Sequence, residues 1–155
     1  MIQRIQTVYL LLVVLLSGVT LFSVQAGFVG NTDAAQYVLN FKGIFKVIEN
    51  AEVFVQNVWA LTAMSVLSPV IALLTIFLYK KRFLQIRLLI VNVVLLAGYY
   101  GLLFIYLWQA GKVLDANWYL EIVTAFPLVS IVLTVLAIRA IGKDEALIKS
   151  LNRLR

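Results

Sequence analysis

Residues 88–108 read LLIVNVVLLAGYYGLLFIYLW, a stretch without one charged side chain. Three further apolar stretches cover residues 5–24, 58–79 and 119–139. Each is close to the ~20 residues that an α-helix needs to cross a ~30 Å hydrocarbon core. A helix satisfies its backbone hydrogen bonds internally, which a spanning segment must do. The pattern predicts four transmembrane helices arranged as two hairpins.

The composition also places the chain in a membrane. It is 63% hydrophobic and 13% charged, whereas soluble domains average roughly 45–50% apolar and 25% charged residues. A soluble fold of this size would have too few polar groups to cover its apolar surface. We therefore expect an all-α membrane protein whose residues 1–155 form a single membrane domain.

The positions of Lys and Arg predict the orientation. With both termini in the cytoplasm, ten of these residues face inward and three face outward, as the positive-inside rule requires. The inward set is Arg4, Lys80, Lys81, Arg82, Arg87, Arg139, Lys143, Lys149, Arg153 and Arg155, and the outward set is Lys42, Lys46 and Lys112. The net charge of +6 thus reflects topology, and we expect no nucleic-acid partner.

Two segments have a second interpretation. The first apolar run, with Arg4 before it and VQA at 24–26, imitates a signal peptide cleaved after Ala26; we interpret it as a retained helix. In the extracytoplasmic segment 25–57, residues 37–42 alternate, and two β-branched stretches flank residues 49–52, which predicts a small β-hairpin-like segment. An amphipathic helix is the alternative, because apolar residues at 41, 44, 45 and 48 also fit helical spacing.

Several polar residues and prolines interrupt the apolar stretches, and they are the candidate helix-packing or polar face. Small and hydroxyl residues three apart permit close helix contact; lining a polar pathway is the alternative. We expect Asn92 to make an interhelical hydrogen bond, Glu121 to lie near the outer boundary, and both prolines to kink inward-running helices. The set is Thr62, Ser65, Ser68, Pro69, Asn92, Glu121 and Pro127.

After the fourth stretch the chain becomes a basic cytoplasmic tail, residues 140–155. Leucines and isoleucine spaced three or four apart, with basic residues between them, suit the headgroup region of an anionic leaflet. The candidate contacts with lipid or a partner are Lys143, Asp144, Glu145, Lys149, Arg153 and Arg155.

The chain has no Cys and no His, which removes thiolate and imidazole metal sites, Cys nucleophiles and His-based triads. We predict that the protein is not an enzyme and has no cofactor or metal. Its expected role is that of an accessory or scaffold subunit of a larger inner-membrane complex, in contact with lipids and other membrane-protein subunits. An oligomeric transporter or channel for a small solute or ion is the alternative.

Both ends of the sequence resemble a known family. The opening MIQRIQTVYLLL, the stretch IRAIGKDEALIKS at 138–150 and the closing RLR are similar to domain-of-unknown-function family 4293, the small four-helix membrane proteins of the Bacteroidota. The resemblance implies a bacterial inner (cytoplasmic) membrane and this multi-pass topology. It implies no activity.

Overall fold

The computed structural model describes residues 5–31, 35–48, 51–79 and 81–153, without the side chains of 51 and 147–153. This part of the chain contains four helices that are long and apolar enough to cross a membrane. They are α1 (Ile5–Phe22), α2 (Trp59–Phe77), α3 (Arg82–Val113) and α4 (Phe126–Arg153). Their most apolar windows have mean hydropathies of 2.1 to 2.3, so the expectation of a multi-pass membrane protein is compatible with the structure.

Each helix packs against two others. Helix α1 lies against α2 and α4, and α3 completes the arrangement by packing on both α2 and α4. Apolar side chains cover much of the outside, including Leu15, Leu74 and Val94. Twelve polar side chains are buried among the described residues. The polar groups of the helices thus lie inside and the apolar groups outside, as expected where lipid is the solvent.

The prediction of an all-α fold is wrong. The described residues also form a five-stranded antiparallel sheet in the order β4-β3-β2-β1-β5, so the protein is mixed α/β. The strands are β1 (Ala26–Gly30), β2 (Gln36–Asn40), β3 (Gly43–Ile48), β4 (Ala51–Gln56) and β5 (Ala116–Leu120). The hairpin expected in segment 25–57 corresponds to β3 and β4, but it belongs to this larger sheet.

Strand β5 extends the sheet beyond segment 25–57, where the sequence predicts only a hairpin. Residues 119 and 120 were expected to open the fourth helix, yet they pair with Gly27 and Ala26 of β1. A turn at Asp115, with φ of 45°, separates β5 from α3. A 3₁₀ turn (Ile122–Ala125) then leads into α4. The sheet is therefore built from both long connections, α1–α2 and α3–α4, and joins the two helical hairpins at one end.

Two apolar clusters lie at opposite ends of the helices. The sheet cluster combines side chains of the sheet with α2 and α3, among them Phe28, Leu39, Leu61, Tyr99 and Leu103. The terminal cluster, at the end where α1 begins, consists of Leu10, Leu89, Ala137 and Ile141. On α3, Asn92 lies between Leu89 of the terminal cluster and Tyr99 of the sheet cluster, so the polar groups described next extend from the sheet cluster toward the terminal cluster.

Candidate functional site

The three hydroxyl residues of α2 in the candidate polar face have different surroundings in the structure. Thr62 is half-buried, and its hydroxyl donates to the carbonyl of Phe41, which ties α2 to the sheet. Ser65 is buried and donates to the Thr62 carbonyl at 2.9 Å. Ser68 is also buried, but its hydroxyl has no hydrogen-bond partner among the described residues. Only the first of these three residues therefore belongs to the helix–sheet junction.

Ser68 belongs to a group of buried polar side chains without partners, contributed by every described helix. We call this group the polar layer: Ser17 of α1, Ser68 of α2, Asn92 and Tyr99 of α3, and Ser130 of α4. Each is at most 5% exposed. The interhelical hydrogen bond expected of Asn92 is not made within the described part of the chain, since both of its amide atoms are buried without a partner.

Three members of the polar layer line a cavity among the four helices. Ser17, Ser68 and Tyr99 share its wall with Thr20, Met64, Ser65, Leu96 and Pro127. The cavity volume is about 10 Å³, close to the ~10–15 Å³ that one water molecule requires. Its lining contains no charged side chain, so the site suits a small neutral molecule that forms hydrogen bonds.

The two prolines have different roles. Pro69 lies inside α2, where its missing N–H leaves the Ser65 carbonyl without its helical donor. Pro127 is the second residue of α4. A proline in the first turn removes no helical hydrogen bond, because the N–H groups there have no acceptor within the helix. The expected mid-helix kink at Pro127 is therefore not observed. The neighbouring Leu128 N–H donates to the Tyr100 hydroxyl at 3.0 Å, and that hydroxyl donates to the Thr124 carbonyl at 2.6 Å.

Glu121 lies outside the polar layer. It is half-buried between β5 and the 3₁₀ turn, and its backbone N–H donates to the Gln25 carbonyl at 3.2 Å. The Thr124 hydroxyl donates to the same carbonyl. The backbone N–H of Gln25 donates to the Leu39 carbonyl at 2.9 Å. Gln25 is fully buried and thus connects α1, the sheet and the start of α4. The sequence reasoning did not select Gln25, Thr124, Tyr99, Ser17 or Ser130.

The tail candidates up to Arg153 lie on the last turns of α4, at the end opposite the sheet. Asp144 accepts a hydrogen bond of 2.5 Å from buried Gln6, which fastens α4 to α1. Lys143 is exposed and Glu145 is half-buried. The side chains of Lys149 and Arg153, and all of Arg155, lie outside the described residues.

Strand β4 is an edge of the sheet as far as the described residues extend. Val53, Phe54 and Val55 are 48%, 55% and 40% exposed. Phe54 packs edge-to-face on Phe45 of β3, with ring centroids 5.6 Å apart. Consecutive strand residues point to opposite faces, so β4 exposes apolar side chains on both faces as well as an unpaired backbone edge.

The family model described as Domain of unknown function (DUF4293) matches residues 2–154. The chain belongs to this family. The resemblance of its two ends is thereby confirmed, and the match includes both connections that build the sheet. No curated protein matches the chain.

The described part of this DUF4293 chain contains no group of three or more His, Cys, Asp or Glu side chains placed to hold a metal ion. The apolar edge strand β4 is exposed on its surface, and the polar layer with its cavity lies in its interior.

Proposed function

We propose that this protein is a non-catalytic subunit of a larger membrane assembly and that it binds its partner through strand β4. The exposed apolar edge formed by Val53, Phe54 and Val55 carries this proposal. An uncovered edge strand of this kind is a template for pairing with another chain. The partner is a protein that offers an extended apolar segment, which adds to the sheet as a further strand.

A lipid surface is a poorer occupant of this edge. Val53 and Val55 point to one face of the sheet and Phe54 to the other, so a flat interface would cover only one of the two sets. Exposed Glu52 in the same strand disfavours insertion of the β3–β4 hairpin into hydrocarbon. A partner strand with its own flanking side chains covers both faces and satisfies the backbone edge.

The proposed orientation places the sheet on the outer side of a bacterial inner membrane. Both termini are then cytoplasmic, and the basic residues around the α2–α3 connection and in the tail face the anionic leaflet. The partner segment accordingly belongs to the extracytoplasmic part of another membrane or membrane-attached subunit.

Extraction from native membranes in a mild detergent tests this role. We expect the wild-type protein to elute as part of a larger complex of defined composition, and Phe54→Lys to elute at the size of the released subunit. Val113→Lys is the matched control, because Val113 is 73% exposed at the end of α3, near the opposite edge of the sheet. Identical profiles for wild type and Phe54→Lys would contradict the proposal.

A second candidate is an oligomeric transporter or channel for a small solute or ion. The polar layer favours it, because buried polar groups in a membrane domain are costly and mark pathways. It predicts that cysteines replacing Thr62, Ser65, Ser68 and Glu121 react with aqueous thiol reagents in the native membrane. The chain contains no other cysteine, so labelling is unambiguous, and protection of all four positions would exclude this role.

A further inference from the structure

The cavity among the four helices is lined by three residues whose hydroxyls have no hydrogen-bond partner among the described residues. They are Ser17, Ser68 and Tyr99. Ser65 also lines the cavity, and Pro69 deprives the Ser65 carbonyl of its helical donor. Polar residues from three helices therefore line one small space.

We propose that this cavity is a binding site for water, occupied by one molecule that links α1, α2 and α3. Its volume of about 10 Å³ suits a single water, which typically makes about three hydrogen bonds to otherwise unsatisfied buried groups. A water can donate to the Ser65 carbonyl and one hydroxyl and accept from the other hydroxyls. The site does not depend on the proposed binding at β4.

The chemistry of the lining excludes larger or charged occupants. Met64, Leu96 and Pro127 form the apolar part of the wall, and a charge would have no counter-ion there. The hydroxyls of Ser17, Ser68 and Tyr99 make no direct hydrogen bond to one another. A shared water molecule would supply the hydrogen bonds that link them.

The direction in which Tyr99→Phe shifts the thermal unfolding midpoint distinguishes a cavity that holds water from a dry one. Without water, Tyr99→Phe removes a buried unsatisfied hydroxyl and raises the thermal unfolding midpoint. With water, the same change removes a hydrogen bond, and we expect the midpoint to fall by about 2–4 °C. A midpoint that stays the same or rises would overturn the proposal.

Coupling between the hydroxyls gives a second readout. We expect Ser17→Ala and Ser68→Ala each to lower the midpoint, and each combined with Tyr99→Phe to lower it by less than the sum of the single effects. Ser130→Ala is the matched control, since Ser130 is equally buried and unpartnered but does not line the cavity. Additive effects in the Ser17 and Ser68 pairs would contradict a shared water.

A measurement on the wild-type protein avoids variants that fail to fold. X-ray radiolysis in ¹⁸O-water generates hydroxyl radicals from bound water and labels the side chains beside it. We expect ¹⁸O incorporation at Tyr99 and Met64 to exceed that at half-buried Tyr106, although Tyr99 is 2% exposed. Labelling of Tyr106 without labelling of Tyr99 and Met64 would show that the cavity is dry.

Discussion

At the scale of single residues, Gly43 shows how the sheet depends on a position without a side chain. Its φ is 151°, a conformation that residues with a Cβ rarely adopt. A Cβ there would also lie 2.5 Å from the carbonyl oxygen of Gln56. Because that atom belongs to the backbone of β4, the clash cannot be relieved by rotating a side chain.

We expect Gly43→Ala to lower the free energy of unfolding by about 2–4 kcal/mol, from backbone strain and overpacking together. Thermal unfolding in detergent measures the change. Gly142 is the control, since it lies inside α4 and a Cβ there meets nothing within 4 Å. Gly142→Ala should raise stability by about 0.5–1 kcal/mol; a harmless Gly43→Ala would refute the described β3–β4 geometry.

A residue of the candidate site could be predicted from the sequence only where the pattern that marks it lies within one helix. Ser68 was selected because it lies three residues from Ser65, a spacing visible within one helix. Ser17, Tyr99 and Ser130 were missed because nothing in the individual helices distinguishes them from packing residues. They form a group only after α1, α3 and α4 are assembled, and their lack of partners is a property of the assembly.

At the scale of elements, β1 and β5 are the strands that the sequence did not indicate. Tyr119 and Leu120 belong to the apolar run of the predicted fourth helix, so hydropathy alone assigns them to that helix. Their strand conformation comes from pairing with β1, a partner about ninety residues earlier in the chain. The helices α1 to α3 were predictable because length and hydropathy are local properties, whereas strand pairing across that distance is not.

A disulfide tests whether β5 exists as described. Val29 and Asn117 are paired across β1 and β5 and both are exposed. Directly opposed residues in an antiparallel pair have Cα atoms roughly 4.5–5.5 Å apart, which suits a disulfide. We expect the Val29→Cys/Asn117→Cys variant to form an intramolecular disulfide under mild oxidation, detected by mass spectrometry.

The control pair is Val53→Cys/Asn117→Cys, on the two edge strands of the described sheet. Those positions are separated by three intervening strands, or roughly 19 Å at about 4.8 Å per strand. If residue 117 instead lay in a loop before a helix beginning at 119, the first pair would cross-link no better than the second.

At the scale of the whole molecule, the sheet lies at one end of the helices, and the start of α1 and the last turns of α4 lie at the other. The sheet is made from the α1–α2 and α3–α4 connections, while Gln6 and Asp144 meet at the other end. Such an arrangement gives the protein two different end faces. The distribution of Lys and Arg gives these faces their proposed identities.

Cysteine labelling measures this orientation directly. Lys112 and Lys143 are both exposed and lie near opposite ends of the molecule. In intact spheroplasts we expect a membrane-impermeant maleimide to label Lys112→Cys and not Lys143→Cys, with both labelled after permeabilisation. Labelling of Lys143→Cys alone in intact spheroplasts would show the opposite orientation and contradict the proposed topology.

The most direct test of the proposed role places a photo-crosslinking amino acid at Phe54 in the native membrane. We expect one adduct of discrete mass between this chain and another protein, with no such adduct from the same amino acid at Val113. A lysine introduced at the neighbouring Val53 should abolish the adduct, because it interrupts the apolar edge. Absence of an adduct at position 54, or an equal yield at position 113, would contradict a subunit that binds through β4.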